Sequence, residues 1–574
     1  VKIKLKIYYL FLYILPGFSF GQNTIINSGV TIVNTNNFIS KGNFINDGTY
    51  TDNTGTVVFS GNTQEIDGTS STSFNNITVS SGSTTTVTTS GHSVKGILLS
   101  NGTLNADGNI TLLSTASKTA MIDGSGSGDV LGNIIMQRYL ASGFGYKYLS
   151  SPFQSATVNE LSDDIDLGVS FATLYRYDES QINSGWISYI NTSGILNPME
   201  GYSVNFGAVS SPVTFDIKGE VNNGDLQTTL YNNNKTYTKG FNLVGNPYPS
   251  PIDWDASSGW TKTNIDDALY FFNAGTTNQY KGTYSTYING VSSDGIVNSI
   301  IPSMQGVFVH VSNGTFPVSA TLGFSNEVRI NDLAPSFHKK ELKQDIPLLR
   351  LIAYFKDNAS YTDPVVIYFN NSASMNFEKD YDALKIFNSD DLIPNLYVAT
   401  PDAAQLSICS MPYPADSLTT VPLGITTESD GWVLFKAKDI YEMPSDIHVY
   451  LYDTKTGYYN LHDEQECHLY LKGGEYENRF YIVFSKKDLQ YFPTTDEKFF
   501  AYGNNNKLFV YLNLQNNETG NLLVSNLLGQ TVYKEELNGN GYHEIDVNIN
   551  RGVYIITLQS TEYKYSKKIF ISDK

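Results

Sequence analysis

Cysteine is almost missing from this 574-residue chain, which holds only Cys409 and Cys467. So few thiols exclude a small scaffold stapled by disulfides and any cysteine-rich metal cluster. Charge is scarce as well, at 16% of residues, and positive charge is scarcest, with 37 Lys and Arg against 56 Asp and Glu for a formal charge of -19. That balance excludes docking on nucleic acid or an anionic membrane through bulk electrostatics. Histidine occurs seven times, at 92, 310, 338, 448, 462, 468 and 543, and never in a His-Glu-x-x-His or other metal-ligand spacing. No apolar run approaches the roughly 20 residues of a spanning helix, so no transmembrane segment is expected.

Aromatics are plentiful by contrast, at 13%, with 40 Tyr and 31 Phe. This is neither a disordered nor a collagenous composition, and it favours β-sheet. The length predicts several domains. Residues 1–21 read as a signal peptide: Lys2, Lys4 and Lys6 precede the apolar run Ile7 to Leu15, and Ser19 and Gly21 supply a small-x-small site, so cleavage is expected between Gly21 and Gln22. Both cysteines lie in one candidate domain of an exported chain. A single disulfide and two buried free thiols are equally open there.

Residues 22–135 are Asn, Thr, Ser and Gly with regularly spaced single apolar residues. Units such as Asn43-Phe44-Ile45-Asn46-Asp47-Gly48-Thr49-Tyr50 alternate apolar with polar and end on Asp-Gly or Asn-Gly corners. Imperfect repeats of this length predict rungs of a β-solenoid, with Phe74 to Val79 as one more strand. Residues 136–333 bring tyrosines and prolines, and the Gly245-Asn246-Pro247-Tyr248-Pro249-Ser250-Pro251 stretch predicts a rigid extended corner in a jelly-roll-like β-sandwich. A polar stretch around 334 to 345 reads as a linker. Residues 345–488 predict a second, Ig-like or jelly-roll-like sandwich. It carries most of the acidity, with 21 acids and nine bases from Asp345 to Phe484. Residues 497–574 balance their charge and predict a small C-terminal β-sandwich.

That last unit resembles the type A C-terminal sorting domain of type IX (Por) secretion substrates. The likeness rests on Gly520-Asn521-Leu522-Leu523-Val524-Ser525-Asn526-Leu527-Leu528-Gly529-Gln530, on Arg551-Gly552-Val553-Tyr554-Ile555-Ile556-Thr557-Leu558, and on Lys567-Lys568-Ile569-Phe570-Ile571. The motif positions singled out are Gly529, Gly552, Tyr554, Lys567 and Lys568. The resemblance implies export through the type IX translocon, cleavage by a surface sortase, and release or attachment at the outer cell surface. Beside it, Gly529 and Gly552 read simply as hairpin punctuation and the lysine pair as solvated. The preceding domains are similar to modules of uncharacterised exported β-proteins of the same secretion lineage, which implies architecture rather than activity. Asp416-Ser417-Leu418 resembles the O-glycosylation acceptor of that lineage.

Catalytic candidates are thin. Gly124-Ser125-Gly126-Ser127-Gly128 contains the letters of a serine-hydrolase elbow but lies in a glycine-rich turn with no helix expected after it. Cys467 is flanked by His462 and His468 in an acidic turn with Asp463, Glu464 and Glu466, yet the side chains of neighbouring strand residues Cys467 and His468 diverge. For a solenoid lyase or glycosidase the carboxylates Asp47, Asp52, Glu65 and Asp67 are available, with few cations beyond Lys41, Lys95, Lys118 and Arg138. Structural calcium, the one cofactor considered, would fall on Asp123 to Asp129 or on Asp163-Asp164-Ile165-Asp166, neither of which is a complete EF-hand loop. The expectation is a non-enzymatic secreted or cell-surface protein with a binding, adhesive or structural role toward surface glycans or proteins. Trp186, Trp254, Trp260 and Trp432 could stack on sugar rings if exposed, although core positions are commoner for Trp in such domains; a carbohydrate-binding protein would show Trp186, Trp254 or Trp260 exposed on a flat face. A polysaccharide hydrolase or lyase would show a cleft with two converging carboxylates of raised pKa.

Overall fold

The structure, a computed structural model, describes residues 23–26, 30–334, 346–414, 418–462, 466–486, 489, 499–504, 507–512, 519–538, 541–560 and 563–571. The signal peptide, the Gly21–Gln22 cleavage site, His338, the 335–345 stretch and the Asp416-Ser417 acceptor lie outside them. The described residues form strands and three short 3-10 turns, with no α-helix.

Up to residue 140 the chain winds as a three-faced β-solenoid of about five turns. One face runs through Asn43–Asn46, Thr63–Asp67, Thr84–Val87, Thr103–Asn105 and Asp129–Leu131, every pairing parallel. The alternation seen in the sequence is the reason: Phe44, Phe59, Phe74, Ile77 and Leu98 point inward and are fully buried, while their neighbours face out. Phe44 is ringed by Phe38, Tyr50, Phe59 and Phe74 at centroid distances of 5.5–6.3 Å, so strands of different faces meet in one aromatic cluster inside the coil. The expected single strand from Phe74 to Val79 is two strands, Ser73–Phe74 and Asn76–Val79, because Asn75 turns a solenoid corner and Asn76 Oδ1 accepts the Ile97 N–H of the next rung at 2.8 Å. Rungs touch so closely that a Cβ on Gly128 would meet the Gly102 carbonyl oxygen at 1.8 Å.

The solenoid does not end in solvent. Asn133–Leu140 bonds in parallel to Ile110–Leu112 of the last turn and antiparallel, over eight residue pairs, to Val213–Glu220 of the following module. One hydrophobic core therefore runs from Phe38 through Met136 to Tyr202, Phe215 and Met304. In that module the proline-rich segment forms the expected corner between Phe241–Gly245 and Ile252–Asp253. Asn246 makes it possible: its buried amide donates to the carbonyls of Ser250, Ile301 and Pro302, and its Oδ1 accepts from the Tyr248 N–H. The side chain supplies bonds that the prolines cannot.

From residue 346 an 11-stranded sheet folds over one core, to which strands at both ends of the hydrogen-bonded order contribute. Its other face meets the preceding module. Leu348, Val366, Tyr368, Ala383 and Ile408 pack with Tyr148, Phe241, Tyr270 and Phe308, and Arg350 donates to the Ser292 and Ser293 carbonyls at 3.0 Å. The C-terminal unit is separate, with three-stranded and four-stranded sheets closing on a core drawn only from residues 499–571.

The disulfide alternative is corrected here. Cys409 and Cys467 are both free and buried, on Gln405–Met411 and Cys467–Leu471, which stand four places apart in the strand order. Each thiol fills apolar core, and burial pushes both well above the ordinary thiol range.

Candidate functional site

The larger of two notable cavities, about 780 Å³, opens where the solenoid's last turn meets the next module. Phe144, Leu140 and Phe272 supply much of its wall, with Lys118, Arg138 and Lys147 as its charged groups. Burial pushes Lys147 down to about 8 and Arg138 to about 10. Lys147 Nζ donates to the Phe144 carbonyl at 2.6 Å.

The smaller cavity, about 370 Å³, gathers Asp123, Asp129, Glu220 and Arg329. Three acids and one base in a cleft resemble the arrangement a glycosidase would need, but the electrostatics differ. Burial alone would raise the Asp123 carboxyl, yet hydrogen bonds from Ser125 and Asn331 and the charge of Arg329 together hold it below its usual range. Arg329 is itself engaged: Nε donates to Ser250 Oγ at 2.7 Å, Nη1 to Asn223 and Asn326, and Nη2 to the Ile122 carbonyl. The guanidinium clamps the solenoid's end to the corner-bearing module. Ser125 sits in the turn between Met121–Ile122 and Asp129–Leu131, and no helix follows, so the elbow letters form no elbow.

The solenoid carboxylates do not converge on a cleft. Lys95 Nζ lies 3.1 Å from Asp52, Asn43 donates to Glu65, and Thr69 donates to Asp47 through both its backbone and its hydroxyl. His92 is a core histidine whose pKa burial lowers, with Nδ1 accepting the Thr72 N–H. Asp163, Asp164 and Asp216 do cluster: burial and then the charges of Asp163 and Asp216 raise Asp164 to about 7. Among the described residues no three His, Cys, Asp or Glu side chains are grouped to hold a metal ion.

One constellation escaped the sequence reading. His310 Nδ1 lies 2.5 Å from Asp266 Oδ2, and Ser312 Oγ donates to Asp266 Oδ1 at 2.5 Å. These are the three residue types of an acyl-transfer triad. The connectivity is wrong for that chemistry, since the serine bonds the acid and His310 Nε2 is taken by the Lys239 carbonyl at 2.9 Å. His310 and Asp266 are buried, 44 residues apart, so spacing offered no signal. Cys467 and His468 diverge as strand alternation requires, the thiol inward and the exposed imidazole toward Glu466.

The four tryptophans divide between core and surface. Trp254 is 2% exposed, Trp260 packs on it at 4.7 Å, and Trp186 is wedged among Tyr148, Tyr177 and Phe308. Trp432, by contrast, is 50% exposed.

In the C-terminal unit, Gly529 adopts φ +83° in the turn from Asn526 to Gln530, a conformation glycine tolerates best, while Asn526 Oδ1 accepts the Leu528 and Gln530 N–H groups. Gly552 opens the strand Gly552–Gln559, and Tyr554 joins the core while its hydroxyl donates to the Asn550 carbonyl at 2.6 Å. Lys567 and Lys568 pair with Ile556 and Ile555 across the closing hairpin.

The chain belongs to the family described as Domain of unknown function (DUF8693), which matches residues 32–484. Residues 502–572 match the Secretion system C-terminal sorting domain. The protein is thus a type IX secretion substrate, handled by that system and exported to the cell surface or beyond. No curated protein matches the chain. Among solved structures, a chain titled "Biofilm associated protein - BSP domain" aligns at 8% identity over 76% of this chain and 92% of its own, with a TM-score of 0.15.

Proposed function

We propose that the exported body, residues 32–484, is a non-enzymatic binding or adhesive protein of the cell surface or its surroundings. One observation carries this reading: the groups that catalysis would use are engaged in structural bonds, between modules or within one. Arg329 ties the solenoid to the corner, and His310 and Asp266 bond each other and neighbouring backbone. What the body offers outward is a continuous frame with loops and isolated aromatics at its surface, the usual arrangement of a recognition scaffold. The sortase step after translocation belongs to the same proposal.

The test compares attachment of wild-type cells and of cells lacking this chain to polysaccharide-coated and protein-coated surfaces. Loss of attachment on deletion, restored by the chain in trans, is the expected result. Release of reducing ends or unsaturated sugars from a polysaccharide by the purified body would overturn it.

A further inference from the structure

We propose that Trp432 and Tyr470, backed by Glu466 and His468, form a binding site for uncharged oligosaccharide on the outer face of the acidic sheet; this deepens the binding role proposed above and rests on it. The face is defined by strand alternation. Val433 and Phe435 of Gly431–Tyr441, and Cys467, Leu469 and Leu471 of Cys467–Leu471, point into the core. Trp432, His468 and Tyr470 therefore point the other way, and so does Tyr354 on the neighbouring strand, between the inward Ala353 and Phe355.

Trp432 and Tyr470 are direct cross-strand partners, 50% and 52% exposed, with ring centroids 5.7 Å apart at 77°. In such an edge-to-face pair the edge of one ring meets the face of the other, and about half of each side chain stays in solvent. Cys467–Leu471 is the terminal strand of its sheet, so nothing in the strand order stands beyond it. Two large exposed aromatics at one point are costly on a soluble surface without an occupant.

The polar groups beside the rings identify the occupant. His468 is opposite Leu434, two residues from Trp432, and Leu434 is also opposite Tyr354. Tyr354 Oη donates to Glu466 Oε1 at 2.6 Å, and His468 Nε2 lies 3.3 Å from Glu466 Oε2. The Tyr354 hydrogen bond holds the Glu466 carboxyl below its usual range, so at neutral pH it is a fixed acceptor with lone pairs to spare. Half-exposed aromatic surface on the same sheet face as a fixed carboxylate and an exposed imidazole matches a sugar ring, whose C–H face stacks on an aromatic ring while its hydroxyls donate at the rim. Charge chooses among sugars. The surrounding domain carries 21 acids against nine bases from Asp345 to Phe484, which disfavours uronates and sulfated glycans.

Calorimetry with the secreted protein uses cellohexaose, laminarihexaose and mannohexaose as probes and hexagalacturonate as the anionic comparator. At least one neutral hexasaccharide is expected to bind and hexagalacturonate to bind more weakly. Trp432→Ala and Tyr470→Ala should each weaken binding at least about tenfold, as for aromatic anchors elsewhere. Trp432→Tyr, which keeps an aromatic face, should recover most of the loss, and Glu466→Gln should have a smaller effect. Unchanged melting of the variants guards against misfolding. The proposal falls if no neutral hexasaccharide binds, if Trp432→Ala binds like wild type, or if the pair instead closes a dimer that Trp432→Ala dissociates. Attachment assays separate the two readings. A deletion strain that attaches normally overturns the binding role itself, whereas a deletion defect fully rescued by the Trp432→Ala chain overturns only this site.

Discussion

The body and the sorting tail are built from the same strand chemistry but differ in how their hydrophobic cores are bounded. In the body, cores cross module boundaries: one runs from the solenoid into the corner-bearing module, and another joins that module to the acidic sheet. In the tail the core is enclosed within residues 499–571. Sharing a core makes folding of one part depend on its neighbour, whereas a closed core lets a unit fold alone. An export signal read at the membrane needs the second property, and a surface frame that must hold its shape benefits from the first.

The strongest way to break this comparison is to remove the tail. A chain ending at Pro493 should stay in the periplasm, while its body melts at the temperature of the full-length protein; fractionation and calorimetry measure both. Extracellular truncated chain, or a destabilised body, would show that the two regions are not independent. Phe44→Ala should destabilise the body by about 3–5 kcal/mol, the usual result of emptying an aromatic core position, without shifting the tail's transition. Lys385→Met removes the partner of the buried Asp363, 2.6 Å away, and should cost about 3–5 kcal/mol because a buried charge is left unpaired. If Lys385→Met is neutral in denaturant titration, the pair is not part of what makes the acidic sheet rigid. Leu522→Ala, fully buried in the tail core, should cost about 2–5 kcal/mol confined to the tail, and should lower export in proportion to the unfolded fraction.

The smallest effect concerns pH. Asp164 titrates near 7 in the folded chain against 3.8 for a free carboxyl. The folded state therefore holds this proton more tightly, so its contribution is greatest near pH 4 and declines as pH rises through 7. Asp164→Asn should flatten the fall in body stability expected of wild type as pH rises from 3.8 to about 7, leaving the tail's profile unchanged. An identical slope in both proteins would show that Asp164 is solvated.

Much of this was legible in the sequence. Single apolar residues spaced by Thr, Asn and Ser announce strands whose insides are thin, and Phe44 was readable as core from alternation alone. The Gly-Asn-Pro-Tyr-Pro letters gave the corner, and three ordered motifs gave the tail. The seam between module and acidic sheet was harder. In Val365-Val366-Ile367-Tyr368-Phe369 all five residues are buried, since one face lines the sheet's own core and the other meets Phe241 and Tyr270. A continuous apolar run is the sign of two-sided burial, but it does not say which surface covers the second side. The placement of the tryptophans was illegible for a related reason. Trp186, Trp254 and Trp432 are alike as letters, and only the stacking of sheets decides which one is left outside. The residues His310, Asp266 and Ser312 come together through long-range antiparallel pairing that no local pattern encodes.

The junction at Asn133–Leu140 has a consequence for size variation. Among the described residues this is the strand that pairs the solenoid with Val213–Glu220, and Arg329 bonds the solenoid at the carbonyl of Ile122. Whole turns gained or lost on the far side of the coil would leave that seam untouched. Each would change the reach of the molecule by one strand spacing, about 4.8 Å, so lineages could lengthen or shorten the projection by duplication alone, without redesigning what stands at its base.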